Sequence, residues 1–384
     1  MAGWTAVAGT HDFVVLDEGQ ARALAQALAG YGFALVTANP SWHEDGWTVT
    51  AFDEGPYSND VQGRRTMDAV GRGAAALARQ HHGYPQGGVR CDPTMLTQLH
   101  AAEAAIEYAN PGARPPTPAV VVRPMPPPAP LALTPDRAED IPIDLSGLDG
   151  IAWGDLEHAH GDASDIPGLL RTLADPFCDW EATLDELFGD NLLHQGTCYS
   201  ATAPVMPFLT RMITSGALPA RQRLDLYAWL LTAADCQAAD LLADADRAAA
   251  HHRQPEAAAW APKVHAAVDG QMPTLLARWD TEPPAIRAAL ACLAAAFPHH
   301  GRQLGDEIAA MAASLRDTQP GAYLRLAHAM VRADDDQTLT LAADIVAWAP
   351  DHDPGWLEAT GVTITIKTSH IIARGALRIL SNTK

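Results

Sequence analysis

The chain has 384 residues, 48% of them hydrophobic, enough for two or three domains with a sizeable core and no need of disulfide staples. Its 46 Asp and Glu outweigh 26 Lys and Arg, and a formal charge of -20 repels polyanions, so no nucleic-acid partner is expected. The five cysteines, Cys91, Cys178, Cys198, Cys236 and Cys292, are scattered without a Cys-x-x-Cys, which encodes neither a disulfide framework nor a cysteine zinc site and fits a reducing cytoplasm.

The N-terminus lacks the cationic start and sustained apolar run of a secretory signal. The longest apolar helical run, Ala288 to Pro298, is about half of the roughly 20 residues that cross a bilayer, so no membrane span is expected. Residues 1–109 predict a small α+β domain. His11 to Asp17 is a short apolar stretch, and Glu18 to Gly30 carries Ala21, Leu24, Ala25 and Leu28 at helical spacing before a Gly stop. Phe33 to Thr37 and Gly46 to Glu54 alternate as strands do, on either side of the turn-forming Asn39-Pro40-Ser41. Val61 to His81 is helical again, and Gly87 to Cys91 supplies a last strand. The order βαββαβ is that of the ferredoxin-like plan. Gly32-Phe33-Ala34-Leu35-Val36, the strand around Trp47 to Phe52 and the long helix after it resemble the regulator of ribonuclease activity B family, small βαββαβ proteins that bind and restrain an endoribonuclease.

Residues 110–145 form a proline-rich linker, culminating in Arg-Pro-Met-Pro-Pro-Pro-Ala-Pro at 123 to 130. Prolines remove amide donors and fix φ, so this stretch predicts a stiff, extended spacer rather than a docking site for a proline-binding groove.

Residues 146–360 carry an internal repeat. Shifting Pro167–Leu187 by 106 residues lands on Pro273–Leu293 without a gap, mapping Leu169, Leu170, Leu173, Trp180, Leu184 and Leu187 onto Leu275, Leu276, Trp279, Ile286, Leu290 and Leu293. A shift of 40 maps Pro167, Leu169, Leu173, Leu184 and Leu187 onto Pro207, Leu209, Ile213, Leu224 and Tyr227. Within each copy apolar residues recur at helical spacing, break at a turn and resume. That pattern describes two antiparallel amphipathic helices, which bury their stripes only by stacking on neighbouring copies.

A unit of this length is similar to HEAT or armadillo-type repeats, so the C-terminal part predicts an all-α solenoid. The opening Trp153-x-x-Leu156-x-His158-Ala159-x-Gly161 and the turn from His194 to Pro204 resemble a bacterial subgroup of HEAT-repeat proteins, a likeness that implies scaffolding and partner binding. The HEAT pattern has an Asp in the turn and an Arg six residues later. Here the first position holds Asp175, Ser215 and Thr281, and the second Glu181, Arg221 and Arg287, which predicts that Asp175 pairs with Arg221 of the next copy. The second helices are expected to face a partner through Trp180, Glu181, Asp185, Arg221, Asp225 and Arg287. Asp246 to Gly270 reads as an insertion or an irregular helix pair, and Arg302 to Ala333 and Asp336 to Trp348 as two more amphipathic stretches that cap the array.

Residues 361–384 are foreign in composition: two of the three lysines, Lys367 and Lys384, fall here, and no acidic residue does. The opening Val-Thr-Ile-Thr-Ile-Lys reads either as a shifted or fused reading frame or as a strand that augments another sheet.

Several clusters formally carry chemistry. His158, His160 and Asp162 match half of a binuclear metallohydrolase motif, yet their neighbours read as a helix stopped by Gly161. In the turn cluster His194, Gln195 and Tyr199, a Cys198–His194 pair lacks an orienting third group; bracing the turn is the better reading, with Thr202 as cap and Pro204 in the first helical turn. The doublets His81-His82, His251-His252 and His299-His300 lie near helix ends, and adjacent helical residues diverge by about 100°, so none is expected to chelate an ion. No nucleotide or other cofactor motif is present. The expectation is a cytoplasmic, non-catalytic adaptor or inhibitor of another protein, with an acidic surface suited to a basic target, such as an immunity protein or ribonuclease regulator. The competing class is an enzyme, a HEAT-like DNA glycosylase or a metal-dependent hydrolase. A glycosylase needs a basic groove, which sparse and dispersed Arg does not supply. Nothing in the pattern sets an oligomeric state.

Overall fold

The computed structural model describes residues 5–42, 46–99, 104–117, 120, 123–133 and 141–381. By its contacts the chain divides into two units: residues 1–124 with 244–255 and 358–361, and residues 125–243 with 256–357 and 362–384.

The first unit runs β1 (Ala6–Val15), α1 (Glu18–Tyr31), β2 (Leu35–Pro40), β3 (Trp47–Ser58), α2 (Val61–Gln80), β4 (Tyr84–Gly87), β5 (Arg90–Cys91), α3 (Pro93–Leu99) and β6 (Ile106–Ala109). The sheet is antiparallel in the order β4-β1-β3-β2-β6, with β5 also on β1. Side chains alternate along a strand, so one parity faces each side. Phe13 and Val15 of β1, Val36 and Ala38 of β2, and Val49 and Ala51 of β3 meet Leu24 and Leu28 of α1 and Val70 and Ala74 of α2 in one core. The opposite parity, Leu35 and Phe52, joins Ala8, Cys91 and Leu96 in a smaller cluster under α3. Each fully buried Phe, Leu or Val contributes about 1.5–3 kcal/mol, so the two-helix face dominates this unit.

Local chemistry sets the ends. The Asp17 side chain accepts from the Gln20 amide to start α1, and Gly32, in the left-handed region at φ 118, ends it. A Cβ at Gly32 would meet the Arg114 carbonyl oxygen at 2.4 Å, so both the left-handed backbone and the close approach require glycine here. The expected last strand is split: Gly88 at φ 155 lies against the Thr10 carbonyl and separates β4 from β5. α3 and β6 were not anticipated.

The second unit is mostly helical. Its helices are α4 (Ile166–Leu173), α5 (Trp180–Leu184), α6 (Thr202–Thr214), α7 (Ala220–Ala250), α8 (Ala261–Asp269), α9 (Met272–Leu276), α10 (Pro284–Ala296), α11 (Pro298–Gly301), α12 (Gly305–Ser314), α13 (Gln319–Val331), α14 (Asp335–Trp348), α15 (Gly355–Glu358) and α16 (Ile364–Ser381). From Asp244 onward the end of α7 belongs to the first unit. The 106-residue shift carries α4 onto α9 and α5 onto α10, and both α4 and α9 begin with a proline in the first turn. Of the mapped positions, Leu170, Leu173, Leu184 and Leu187 are buried, as are Leu276, Trp279, Leu290 and Leu293.

Three expectations are corrected. The tail is a helix, not a strand: Thr368, Ile371, Ile372, Ala376 and Leu380 are buried at helical spacing, and α16 packs on α10, α13 and α14. Such a returning helix departs from a row in which each pair meets only its neighbours. The segment around His158 is a hairpin rather than a helix, β7 (Glu157–His158) against β8 (Gly161–Asp162). Lastly, the proline-rich stretch is no free spacer. Leu131 is buried, the Pro127 carbonyl accepts from the Gln319 amide at 3.0 Å, and the Ala132 carbonyl accepts from the Ala285 amide at 3.2 Å. The first amides of a helix lack intrahelical acceptors, and this strap supplies them to α13 and α10. Residues 118, 119, 121, 122, 134–140 and 382–384 lie outside the described residues.

Candidate functional site

Helical spacing builds one groove in the second unit, with a volume of about 410 Å³, within the general range of about 300–1,000 Å³ for ligand sites. Trp180, Glu181, Leu184 and Asp185 come from α5 and the π-helical turn that continues it; Arg221, Leu224, Asp225, Ala228, Trp229 and Thr232 form one face of α7; Leu377 and Leu380 of α16 complete the lining. Five of the six residues expected to face a partner therefore converge. Arg287 is not among the lining residues; its Nε is buried without a hydrogen-bond acceptor.

Asp225 gathers two of the groove's polar side chains. Trp180 Nε1 donates to Asp225 Oδ2 at 3.1 Å, and Arg221 Nε lies 3.2 Å from Asp225 Oδ1. Burial pushes the Asp225 carboxyl above its ordinary range, and Arg221 and the Trp180 N–H oppose that shift. Trp229 stacks on Phe188 with ring centroids 5.0 Å apart. With Arg221 and Asp225 matched, Glu181 and Asp185 leave the lining net acidic. The repeat sharpens this. Ile286, the counterpart of Trp180, is fully buried, whereas Trp180 is half-buried and the preceding loop holds Phe177 at 94% exposure.

The predicted ladder between Asp175 and Arg221 is not formed, which counts against the repeat register that placed them together; Arg221 pairs with Asp225 of its own helix. Asp175 accepts from the Phe177 amide in its own turn and does not reach Arg221. The buried bridge is Arg223 with Glu282, 3% and 0% exposed: Arg223 Nη2 lies 2.7 Å from Glu282 Oε2, and Arg278 adds a contact at 3.1 Å. It joins the start of α7 to the turn before α10. Sequence reasoning missed this pair because it lies two residues from the expected Arg and 59 residues apart in the chain.

The turn cluster braces itself. His194 Nδ1 contacts the Gly189 carbonyl at 3.3 Å, Gln195 occupies the left-handed region at φ 52, and the Tyr199 amide donates to Thr202 Oγ1 at 2.9 Å. Thr202 thus ties the turn together instead of capping α6, donating to the Leu192 carbonyl at 2.7 Å. Both ring nitrogens of His158 are engaged: Nδ1 accepts from the His160 amide at 3.0 Å and Nε2 meets Asp165 Oδ1 at 3.1 Å. Asp162 is spent on Ser164, whose hydroxyl and amide hold its carboxyl below the ordinary range. His158, His160 and Asp162 thus offer no convergent set of free lone pairs. The last doublet departs from expectation, because His299 and His300 Nε2 lie 3.1 and 3.3 Å from the same oxygen of Asp269.

The chain matches no family model, no curated protein and no solved structure. Among the described residues no helix is long and apolar enough to cross a membrane.

Proposed function

We propose that this chain is a non-catalytic protein-binding adaptor or inhibitor, whose helical unit takes a basic side chain of a partner protein in the groove between α5, α7 and α16. The observation that carries this reading is an open, net-acidic groove with a half-buried tryptophan where the equivalent copy buries an isoleucine. Trp180 and Trp229 offer faces to a guanidinium and its aliphatic stem, Glu181 and Asp185 its counter-charge, and the overall charge of -20 steers basic partners inward. Tryptophan is among the side chains enriched at binding hot spots.

In this reading the helical unit is a short HEAT-like array closed by α16, supported by helix mapping onto helix across the 106-residue shift. The first unit is read as ferredoxin-like, supported by the order β4-β1-β3-β2 and by β3 lying antiparallel between β1 and β2. Whether it restrains a ribonuclease, as its resemblance implies, is part of the same proposal. The test is paired affinity capture from host lysate at low salt with wild type and with Trp180→Ala. A basic protein retained by wild type and reduced at least about tenfold by the variant supports the reading, since hot-spot truncations cost about 2 kcal/mol or more. Equal retention of every bound protein by the two refutes it.

A further inference from the structure

We propose that Asp269, His299 and His300 form a binding site for a zinc-class divalent ion. Asp269 closes α8, and the two histidines lie in α11, just after the Phe297 corner, so the cluster joins two segments about thirty residues apart. One ligand atom from each residue falls within 4.8 Å of the others, and the two Nε2 atoms lie 3.1 and 3.3 Å from Asp269 Oδ1. Zinc bonds of about 2.0–2.1 Å place neighbouring tetrahedral ligand atoms about 3.3 Å apart, so these two edges already have the length that a shared ion requires.

Two features distinguish the cluster from an ordinary ion pair. Oδ1 of Asp269 is shielded from solvent yet accepts no hydrogen bond, so both imidazoles stand close without the alignment of a donor. The rings also draw together, centroids 4.1 Å apart and tilted by 42°, although adjacent residues on a helix start out divergent. Like-facing nitrogens packed around one bare carboxylate oxygen are the arrangement that a cation relieves.

Two imidazoles and one carboxylate suit zinc, nickel, copper or cobalt rather than magnesium or calcium, which prefer oxygen ligands. Three protein ligands leave at least one position for water or for a group from another molecule. His299 is 62% exposed on its side chain and His300 25%, so an ion can enter without unfolding.

The test uses the full chain stripped of metal with a chelator, titrated calorimetrically with zinc chloride and, separately, with cobalt chloride in a spectrophotometer. Saturable binding of zinc at this site and a visible cobalt band are expected in wild type and in His251→Ala/His252→Ala. Both are expected to be lost in His299→Ala and in Asp269→Asn. Circular dichroism confirms that the variants stay folded, and the wild-type cobalt spectrum tests the site with no substitution at all. Wild-type protein without saturable zinc binding, or unchanged binding in folded His299→Ala, overturns the proposal.

Discussion

Removing Arg223 perturbs the helical unit at its most buried charge. Glu282 is fully buried, and Arg223 reaches both its oxygens, Nε at 3.2 and 3.1 Å and Nη2 at 2.7 Å, while Nη1 donates to the Leu218 carbonyl at 2.7 Å. Arg223→Met leaves that carboxylate to Arg278 alone, whose side chain is 26% exposed, and deprives the Leu218 carbonyl of its donor. Breaking a buried pair from one side costs about 3–5 kcal/mol, and an orphaned carbonyl adds about 1 kcal/mol. A loss of about 4–6 kcal/mol is a large share of the roughly 5–15 kcal/mol that holds a typical domain. The double variant Arg223→Met/Glu282→Leu removes both charges and should recover most of it, because matched apolar replacements of buried pairs are often neutral. Urea denaturation followed by far-UV circular dichroism, arranged as a double-mutant cycle, reads both effects. A single-variant loss below about 1 kcal/mol, typical of an exposed pair, would refute the claim that this bridge ties α7 to the turn before α10.

Two further outcomes follow from packing and burial. A Cβ at Gly375 would stand 2.0 Å from Cε1 of Tyr323, a buried ring whose hydroxyl meets His352 Nε2 at 3.2 Å, so Gly375→Ala should destabilise the helical unit by about 1–3 kcal/mol; an unchanged urea midpoint would mean that α16 does not pack there. Because burial raises the Asp225 carboxyl above its ordinary 3.8, the native state takes up that proton before the unfolded state does. Wild type should therefore gain stability relative to Asp225→Asn as pH falls from neutral toward about 4, with no further relative gain below, and a constant difference across that window would contradict the buried setting of the carboxylate.

Periodicity revealed most of the framework. Alternation at Trp47 to Phe52 and the apolar stripe of α1 are direct consequences of burial on one face, so the strand and helix order of the first unit was legible. β6 was not, because Ile106-Glu107-Tyr108-Ala109 is too short to show a period, and its place is set by pairing with β2. α16 was misread because Val-Thr-Ile-Thr-Ile is β-branched, a local preference that packing overrides; the spacing Thr368, Ile371, Ile372, Ala376 and Leu380 was the signal available. In the groove, Trp180 to Asp185 and Arg221 to Asp225 were visible as helical faces, but Leu377 and Leu380 come from the far end of the chain and leave no local trace. The Asp269, His299 and His300 cluster was hidden for a related reason: the divergence of adjacent residues holds at Cβ, while ring tips several bonds away can converge on a third residue.

A pair of near-isosteric ligands tests whether the acidic groove accepts a cationic side chain, without knowledge of the partner. Tryptophan fluorescence is followed while acetyl-Gly-Arg-Gly-amide, and separately its citrulline counterpart, is titrated into wild type and Asp185→Asn. A saturable response to the arginine peptide, absent with citrulline and weakened in the variant, is predicted. Equal responses to the two peptides, or none to either, would contradict it.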